Sequence, residues 1–207
     1  MIFLLLFLAT PLDTTISRLE DHYNHLDSLR ASFVQQYRAT ESGAVREESG
    51  IVYLRKPGKM RWEYTRPEAK LFLTDGKDAY FYVQEDKQAT RFSVKDSSDA
   101  RIPLRFLLGK LNLRRIFAKI EVVTDIAPVD PGDILLKLYP KKGESFQQIY
   151  LEIDPQSRIR RLVIDESDGS RSDFRLAAEE ANPRLESDLF HFVPPPGTAI
   201  VDERSGR

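Results

Sequence analysis

Hydrophobic residues near the start of the chain recur every three or four positions, a spacing typical of an amphipathic helix. The polar residues between them would lie on the opposite face, towards solvent. Asp13, Thr14 and Thr15 precede the pattern and are suitable N-cap residues. The pattern therefore predicts one surface helix with an inward apolar stripe formed by Ile16, Leu19, Tyr23, Leu26, Leu29 and Phe33.

From about residue 31 onwards the hydrophobic period falls to two, which is typical of β-strands. Turn signals such as Pro57-Gly58 and Asp75-Gly76 separate the runs. These links are too short for the crossover that a parallel pair requires, so we expect antiparallel neighbours. Strands are predicted over 31–40, 48–55, 59–65, 69–74, 78–84, 87–94, 119–126, 133–140, 145–154, 158–166 and 170–178.

Two short helical segments interrupt the strands. A helix is predicted over 102–109, with Pro103 in its first turn and Gly109 at its end. A second short piece is indicated by Leu113, Ile116 and Phe117. The apolar sides of these segments must cover something, so we predict a mainly β (α+β) fold: a twisted sheet that curls, with helices covering its concave apolar face.

The composition limits the classes of partner. A length of 207 residues fits one domain, which we place at 13–207. The 31 basic and 32 acidic side chains leave no positive surplus for a nucleic-acid partner. There is no cysteine, which excludes disulfides, thiolate metal sites, a cysteine nucleophile and a lipid-modified cysteine. We therefore expect a protein that is not lipid-anchored.

Residues 1–12 carry an apolar run about as long as the hydrophobic part of a signal peptide and too short for a membrane span. No Lys or Arg precedes the run and no A-x-A site follows it, so the cleavage position is undefined. The alternative is that the run forms a first element of the mature fold. We interpret 1–12 as a signal peptide, which predicts export to the periplasm.

Candidate chemistry is sparse. The three histidines include His22 and His25, which are three residues apart, but no motif supplies a third metal ligand, so we expect both to be exposed helix residues. The chain has no nucleophile elbow, phosphate-binding loop, dinucleotide fingerprint or H-E-x-x-H motif. We predict no catalytic residue, no metal and no cofactor, and therefore no enzyme.

Large apolar side chains are unusually dense in the central strands. Met60, Trp62 and Tyr64 share one face of a predicted strand. In the strand at 78–84, Tyr80 and Tyr82 point to one face while Phe81 and Val83 point to the other. Either both faces of the sheet are covered, as in an ordinary core, or one face lines a cavity.

These strands also carry a resemblance. The run GIVYLRKPGKMRWEY at 50–64, the Asp75-Gly76-Lys77 turn, the opening ASFVQQ at 31–36 and the closing FHFVPPPG at 190–197 are similar, in order and spacing, to the outer-membrane lipoprotein carrier family, LolA. The resemblance implies an unclosed antiparallel β-barrel with a helical lid, whose hydrophobic cavity holds lipoprotein acyl chains. It also implies two membrane partners: an inner-membrane ABC transporter that releases lipoproteins and an outer-membrane acceptor.

From the resemblance and the apolar pattern together we expect a monomeric carrier whose lipid-binding residues are Leu19, Leu26, Leu29, Phe33, Met60, Trp62, Leu104, Leu107 and Leu108. In the family, an arginine before the first proline of this region hydrogen-bonds the lid and holds it shut. This chain has Lys56 there, a mobile ammonium in place of a planar fork. We expect Lys56 to act as the latch by reaching carbonyls at the end of the helix that follows Pro103, and to hold more loosely than arginine.

Two other functions stay open at this point. A lipid- or peptide-sensing regulatory module could use a similar half-barrel, although no second partner-binding domain is visible in the sequence. An unrecognised hydrolase would need a polar constellation inside the pocket.

Overall fold

The computed structural model describes residues 11–94, 104–142 and 145–203. The apolar run at 1–10, the polar segment and predicted helix start at 95–103, including Pro103, and Gly143 of a predicted turn lie outside these ranges. The described elements are α1 (Pro11–Asn24), β1 (Ser28–Arg38), β2 (Val45–Arg55), β3 (Lys59–Arg66), β4 (Lys70–Thr74), β5 (Asp78–Val83), β6 (Gln88–Ser93), α2 (Leu113–Ile116), β7 (Phe117–Val122), β8 (Ile134–Pro140), β9 (Phe146–Ile153), β10 (Ile159–Glu166), β11 (Arg171–Ala181) and β12 (Ala199–Asp202), with short 3₁₀ turns at Arg105–Leu107 and Ser187–Phe190.

The described strands form one sheet in the order β12-β6-β5-β4-β3-β2-β1-β11-β10-β9-β8-β7. Every neighbouring pair is antiparallel except β12 with β6, which is parallel. The two ends of this order, β12 and β7, are not paired with each other, so the barrel is unclosed. The predicted fold class is confirmed; the parallel strand β12 was not predicted.

The sheet curls strongly towards one face. Trp62 on β3 and Phe174 on β11 are three strands apart, which is about 14 Å along a flat sheet. Their ring centroids are nevertheless only 5.2 Å apart. Large side chains on one face can meet over that span only if the face is concave, and we call it the core face.

Alternation along the strands builds the core face. On β1 the buried apolar side chains are Leu29, Ala31 and Phe33, at a period of two. Phe33 pairs across the strands with Gly50, where a side chain would meet the Glu63 carbonyl oxygen at 1.8 Å. Glycine is therefore required at position 50 for β2 and β3 to approach each other beside the Phe33 ring.

The predicted first helix is too long. Helix α1 ends at Asn24, and Leu29 and Phe33 lie on β1. A strand that follows a helix after a short loop can place apolar residues at three- and four-residue intervals by coincidence. The buried Ala31 between Leu29 and Phe33 reveals the true period of two. Both residues still face the core.

The opposite face of the sheet, which we call the outer face, is covered over β3–β6 by the C-terminal segment 183–203. Phe192 stacks on Tyr80 with ring centroids 4.7 Å apart and also contacts Tyr82 at 6.0 Å. Phe190 is buried, and the Arg55 guanidinium lies 5.1 Å from the centre of its ring. The aromatic residues on both sides of β5 are therefore explained by two covered faces.

Neither described helix is long and apolar enough to serve as a transmembrane span.

Candidate functional site

Two segments cover the core face: α1 and the stretch 104–116, which together we call the lid. Helix α1 contributes three buried side chains, those of Ile16, Leu19 and Tyr23. The 104–116 stretch contributes four buried leucines at 104, 107, 111 and 113. All seven belong to the same apolar cluster as the side chains of the core face. The lid therefore completes the core by burying its own apolar surface on the sheet.

The structure brings the nine predicted lipid-binding residues into this one cluster. Eight are buried, and Leu108 is half-buried against them. A small pocket next to the lid is lined by Tyr23, Leu26, Leu29, Lys56 and Leu107, among others. The space in it that a water-sized sphere could occupy is about 10 Å³. This is room for about one water molecule, so at this point the lid and the sheet are packed closely together.

Aromatic side chains form the centre of the core face. Phe33 contacts Trp62 and Tyr64 edge to face, with ring centroids 4.7 and 4.9 Å apart. The Trp62 indole N–H donates to the Met60 sulfur at 2.9 Å, and the Tyr64 hydroxyl donates to the Gln35 side chain at 2.9 Å. Burial raises the pKa of Tyr64, so its hydroxyl stays a neutral donor. The centre is apolar, and its polar atoms are satisfied.

Lys56 lies at the junction of lid and sheet. Its ammonium donates to the backbone carbonyl of Tyr23, in the last turn of α1. Its backbone N–H donates to the Asp27 carbonyl at 2.8 Å. Partial burial lowers the pKa of Lys56, and the nearby Asp27 opposes that shift. A cation at the C-terminal end of a helix interacts favourably with the helix dipole, so this contact stabilises the closed lid.

The predicted target of the Lys56 side chain was wrong. The ammonium reaches the end of α1, and the carbonyl of Leu108 in the other lid segment accepts instead from the backbone N–H of Gly58, at 2.9 Å. One turn between β2 and β3 therefore holds both lid segments, one by a side chain and one by the backbone. Arg55 points to the other face, as its neighbouring position predicts, and donates to the Leu185 carbonyl.

A second polar junction at the same helix end was not predicted. Glu179 on β11 has only 7% of its side chain exposed, and its carboxylate accepts from the Tyr23 hydroxyl at 3.0 Å and bonds His22 Nε2 at 2.9 Å. His22 is therefore a half-buried partner of this carboxylate rather than an exposed residue; His25 is exposed, as expected. Because Glu179 stands in a charged run at the end of a strand, the sequence pattern indicates a solvated position.

A group of carboxylates also comes together away from the lid. One oxygen from each of Asp130, Asp133 and Glu152 lies within 4.8 Å of the others. Glu152 Oε1 accepts from the backbone N–H groups of Val129 and Asp130, and its Oε2 lies 3.7 Å from the Arg161 guanidinium. These contacts explain the buried carboxylate as support for the 129–130 loop.

Known proteins of one family resemble this chain over most of its length. The family model described as outer membrane lipoprotein carrier protein LolA matches residues 24–193. The outer-membrane lipoprotein carrier protein of Nitrosospira multiformis is 28% identical over 204 residues, covering 98% of this chain and 95% of the relative. That of Nitrosomonas europaea is 29% identical over 189 residues, covering 91% and 89%.

A solved structure shares the fold. The crystal structure of an uncharacterized conserved protein from Thermus thermophilus superposes with a TM-score of 0.57, covering 93% of this chain and 99% of the other. The two sequences are only 14% identical, so the likeness concerns the fold alone.

Proposed function

Because this chain belongs to the outer-membrane lipoprotein carrier family, LolA, we propose that it binds the acyl chains of lipoproteins against its core face and carries them across the periplasm. The observation that carries the proposal is an apolar sheet face covered by a lid that packs on it through apolar side chains, with the polar bonds from α1 to the sheet confined to one helical turn. Such a cover can be released without unfolding the sheet. The proposed lipid-binding residues are the nine named from the sequence.

In this proposal, cargo entry moves the lid. Near Lys56 and Leu107 the closed structure leaves room for about one water molecule, and an acyl chain is far larger. The acyl chains would therefore take the place of lid side chains on the core face. Trp62, Phe33 and Met60, which belong to the same apolar cluster as the lid side chains, would be the surface against which they pack.

This exchange also explains how a carrier can release its cargo. Each buried methylene contributes about 0.8 kcal/mol, so three fully buried long chains would exceed the practical ceiling of about 18–21 kcal/mol. Displacing a buried lid leucine costs about 1.5–3 kcal/mol, and the lid has several. The net binding free energy is the gain from burying the acyl chains minus the cost of displacing the lid leucines. This difference is small enough for the cargo to be released to an acceptor.

The proposed partners follow from the same role. An inner-membrane ABC transporter would deliver the lipoprotein, and an outer-membrane acceptor would receive it from the opened lid. The proposal includes no chemical step, because the cargo binds and leaves unchanged. We propose that the chain acts as a monomer.

Trp62 offers a direct test, since it is the single tryptophan of the chain and is only 1% exposed. A lipopeptide whose acyl chains carry bromine should quench Trp62 emission, because heavy atoms quench at close range. The same peptide without acyl chains should leave the emission unchanged, and so should a brominated water-soluble acid. Equal responses to the acylated and deacylated peptides would contradict the proposal.

A further inference from the structure

The hydrogen bonds and ion pairs of α1 with the rest of the protein fall into two groups. One group joins α1 to the 104–116 segment, and the other joins α1 to the sheet. The first group runs along the whole helix and the second is confined to its last turn, and this difference indicates how the lid opens.

The bonds between the two lid segments run along α1. Near its end, the Asn24 side-chain amide donates to the Leu111 carbonyl at 3.0 Å, and its oxygen accepts from the Leu111 N–H at 2.7 Å. One turn earlier, Glu20 accepts from the backbone N–H of Leu113 at 2.7 Å. At the helix start, Asp13 pairs with Arg114. Contacts at three levels of one helix fix the relative position of the two segments.

The described polar bonds from α1 to the sheet are instead concentrated in its last turn. The Tyr23 hydroxyl donates to Glu179 and accepts from the Ile159 backbone N–H on β10 at 2.8 Å. His22 bonds the other oxygen of Glu179, and the Tyr23 carbonyl accepts from Lys56. Tyr23 is thus held from two sides, by β11 through its hydroxyl and by the turn after β2 through its carbonyl.

Burial makes the Glu179 junction strong. The Tyr23 hydroxyl is fully buried, and burial followed by the neighbouring Glu179 charge raises its pKa well above the usual value. Tyrosine therefore remains a neutral donor to a carboxylate that is itself 7% exposed. A charged hydrogen bond away from water is stronger than a neutral one, and removing one partner leaves the other unsatisfied.

We infer that α1 and the 104–116 segment open as one body that is released at Glu179, which makes Glu179 a positioning residue for cargo exchange in addition to Lys56. This inference rests on the proposed carrier function. Its physical basis is the contrast between three levels of bonding from α1 to the 104–116 segment and one helical turn of bonding from α1 to the sheet. The 104–116 segment has two further bonds that must open with it, from the Gly58 N–H to the Leu108 carbonyl and from Lys141 to the Arg115 carbonyl.

Crosslinking tests the motion directly, because the chain has no native cysteine to interfere. One double variant, His22→Cys/Glu179→Cys, allows α1 to be crosslinked to β11 of the sheet. The matched variant, Asp13→Cys/Arg114→Cys, allows α1 to be crosslinked to the 104–116 segment. Both pairs replace side chains that now bond each other, and a short reducible bifunctional thiol reagent can span both. The readout is Trp62 quenching by the brominated lipopeptide.

We expect the lid-to-sheet crosslink to abolish quenching, with recovery after reduction, and the crosslink within the lid to leave quenching unchanged. Loss of quenching in the second variant would show that the segments must separate, and retained quenching in the first would show that release at Glu179 is unnecessary. Either result overturns the inference. If the reduced variants and the native chain all fail to respond to acylated peptide, the carrier function itself fails.

Single substitutions give a second measurement that needs no cargo. Glu179→Ala should increase the access of acrylamide to Trp62 about tenfold, as expected for the loss of a hydrogen bond to a charged group. Glu179→Gln keeps an acceptor for Tyr23 and should restore most of the protection. The neighbouring Glu180 is largely exposed and pairs with Arg30, so Glu180→Ala should behave like the native chain. Equal effects of Glu179→Ala and Glu180→Ala would contradict a positioning role.

Discussion

The two faces of the same sheet are covered in different ways. On the core face, the lid packs through apolar side chains, and the described polar bonds of α1 to the sheet lie in one helical turn. On the outer face, the C-terminal segment adds a strand, β12, to the edge of the sheet and stacks Phe192 on Tyr80. It also receives hydrogen bonds from Arg55 and Arg61 on the strands beneath it.

We interpret this difference as that between a movable cover and a fixed one. A cover held by backbone pairing and by side-chain bonds at several strands must break many contacts before it leaves. A cover held by apolar contact and a local junction can leave in one step, and another apolar molecule can replace what it buried. The apolar aromatic residues of both faces look alike in the sequence, and only the way they are covered assigns them different roles.

The largest expected effect is on the fixed cover. Phe190→Ala should lower the free energy of unfolding by about 3–5 kcal/mol, because it opens a cavity between the segment and β3. Urea unfolding followed by circular dichroism measures the change. Val193→Ala in the same segment is the control, since Val193 is 71% exposed and should cost little. A similar loss in both variants would mean that the segment is not held through Phe190.

The corresponding change in the lid should act locally. Leu19→Ala removes a fully buried side chain, and about 2–5 kcal/mol of closure energy should be lost. If the lid opens independently, this loss accelerates hydrogen exchange in α1 while the unfolding midpoint of the sheet changes little. Leu162→Ala, equally buried on β10, is the matched control and should shift the midpoint. If both variants changed hydrogen exchange in α1 and the unfolding midpoint in the same way, the lid would not open independently of the sheet.

A smaller effect is expected at Lys56. Lys56→Leu removes the ammonium that caps the end of α1, so closure should weaken by about 1 kcal/mol with the fold intact. Acrylamide access to Trp62 should rise, and transfer of a lipoprotein to acceptor membranes should be impaired. Lys56→Arg supplies more donors and should close at least as firmly as the native chain. Unchanged transfer by the leucine variant would argue against the latch.

The sequence predicts which side chains lie on the core face, but it does not predict which segment covers each face of the sheet. Alternation at Met60, Trp62 and Tyr64 predicts the core face, because a period of two directly reports which side of a strand is buried. The covering of Tyr80 by Phe192 joins residues more than a hundred positions apart, and no local pattern encodes it.

The same limit applies to the lid junction. Lys56 was found because it occupies the position of a known family residue, whereas Glu179 has no such marker. Its partners His22 and Tyr23 are 157 and 156 positions away. A carboxylate near the end of a strand indicates a solvated position unless the tertiary contact is known. Buried polar junctions between distant segments are therefore the part of this site that sequence periodicity does not reveal.

The smallest expected effect is a dependence of lid closure on pH. Burial lowers the pKa of Lys56 in the closed lid, whereas an opened lid returns the ammonium to water and to a value near 10.5. The open form therefore binds more protons between the lowered pKa and 10.5, so closure should strengthen as pH rises through that window. The neutral amine still donates to the Tyr23 carbonyl, unlike leucine, and no longer carries the cost of burying a charge. Acrylamide quenching of Trp62 should decline as pH is raised from neutral towards 9.5, below the usual titration of tyrosine near 10. The slope should be absent in Lys56→Leu, which has no group to titrate there. A slope of equal size in that variant would assign the pH dependence to other titratable groups. It would show that the protonation of Lys56 does not affect lid closure.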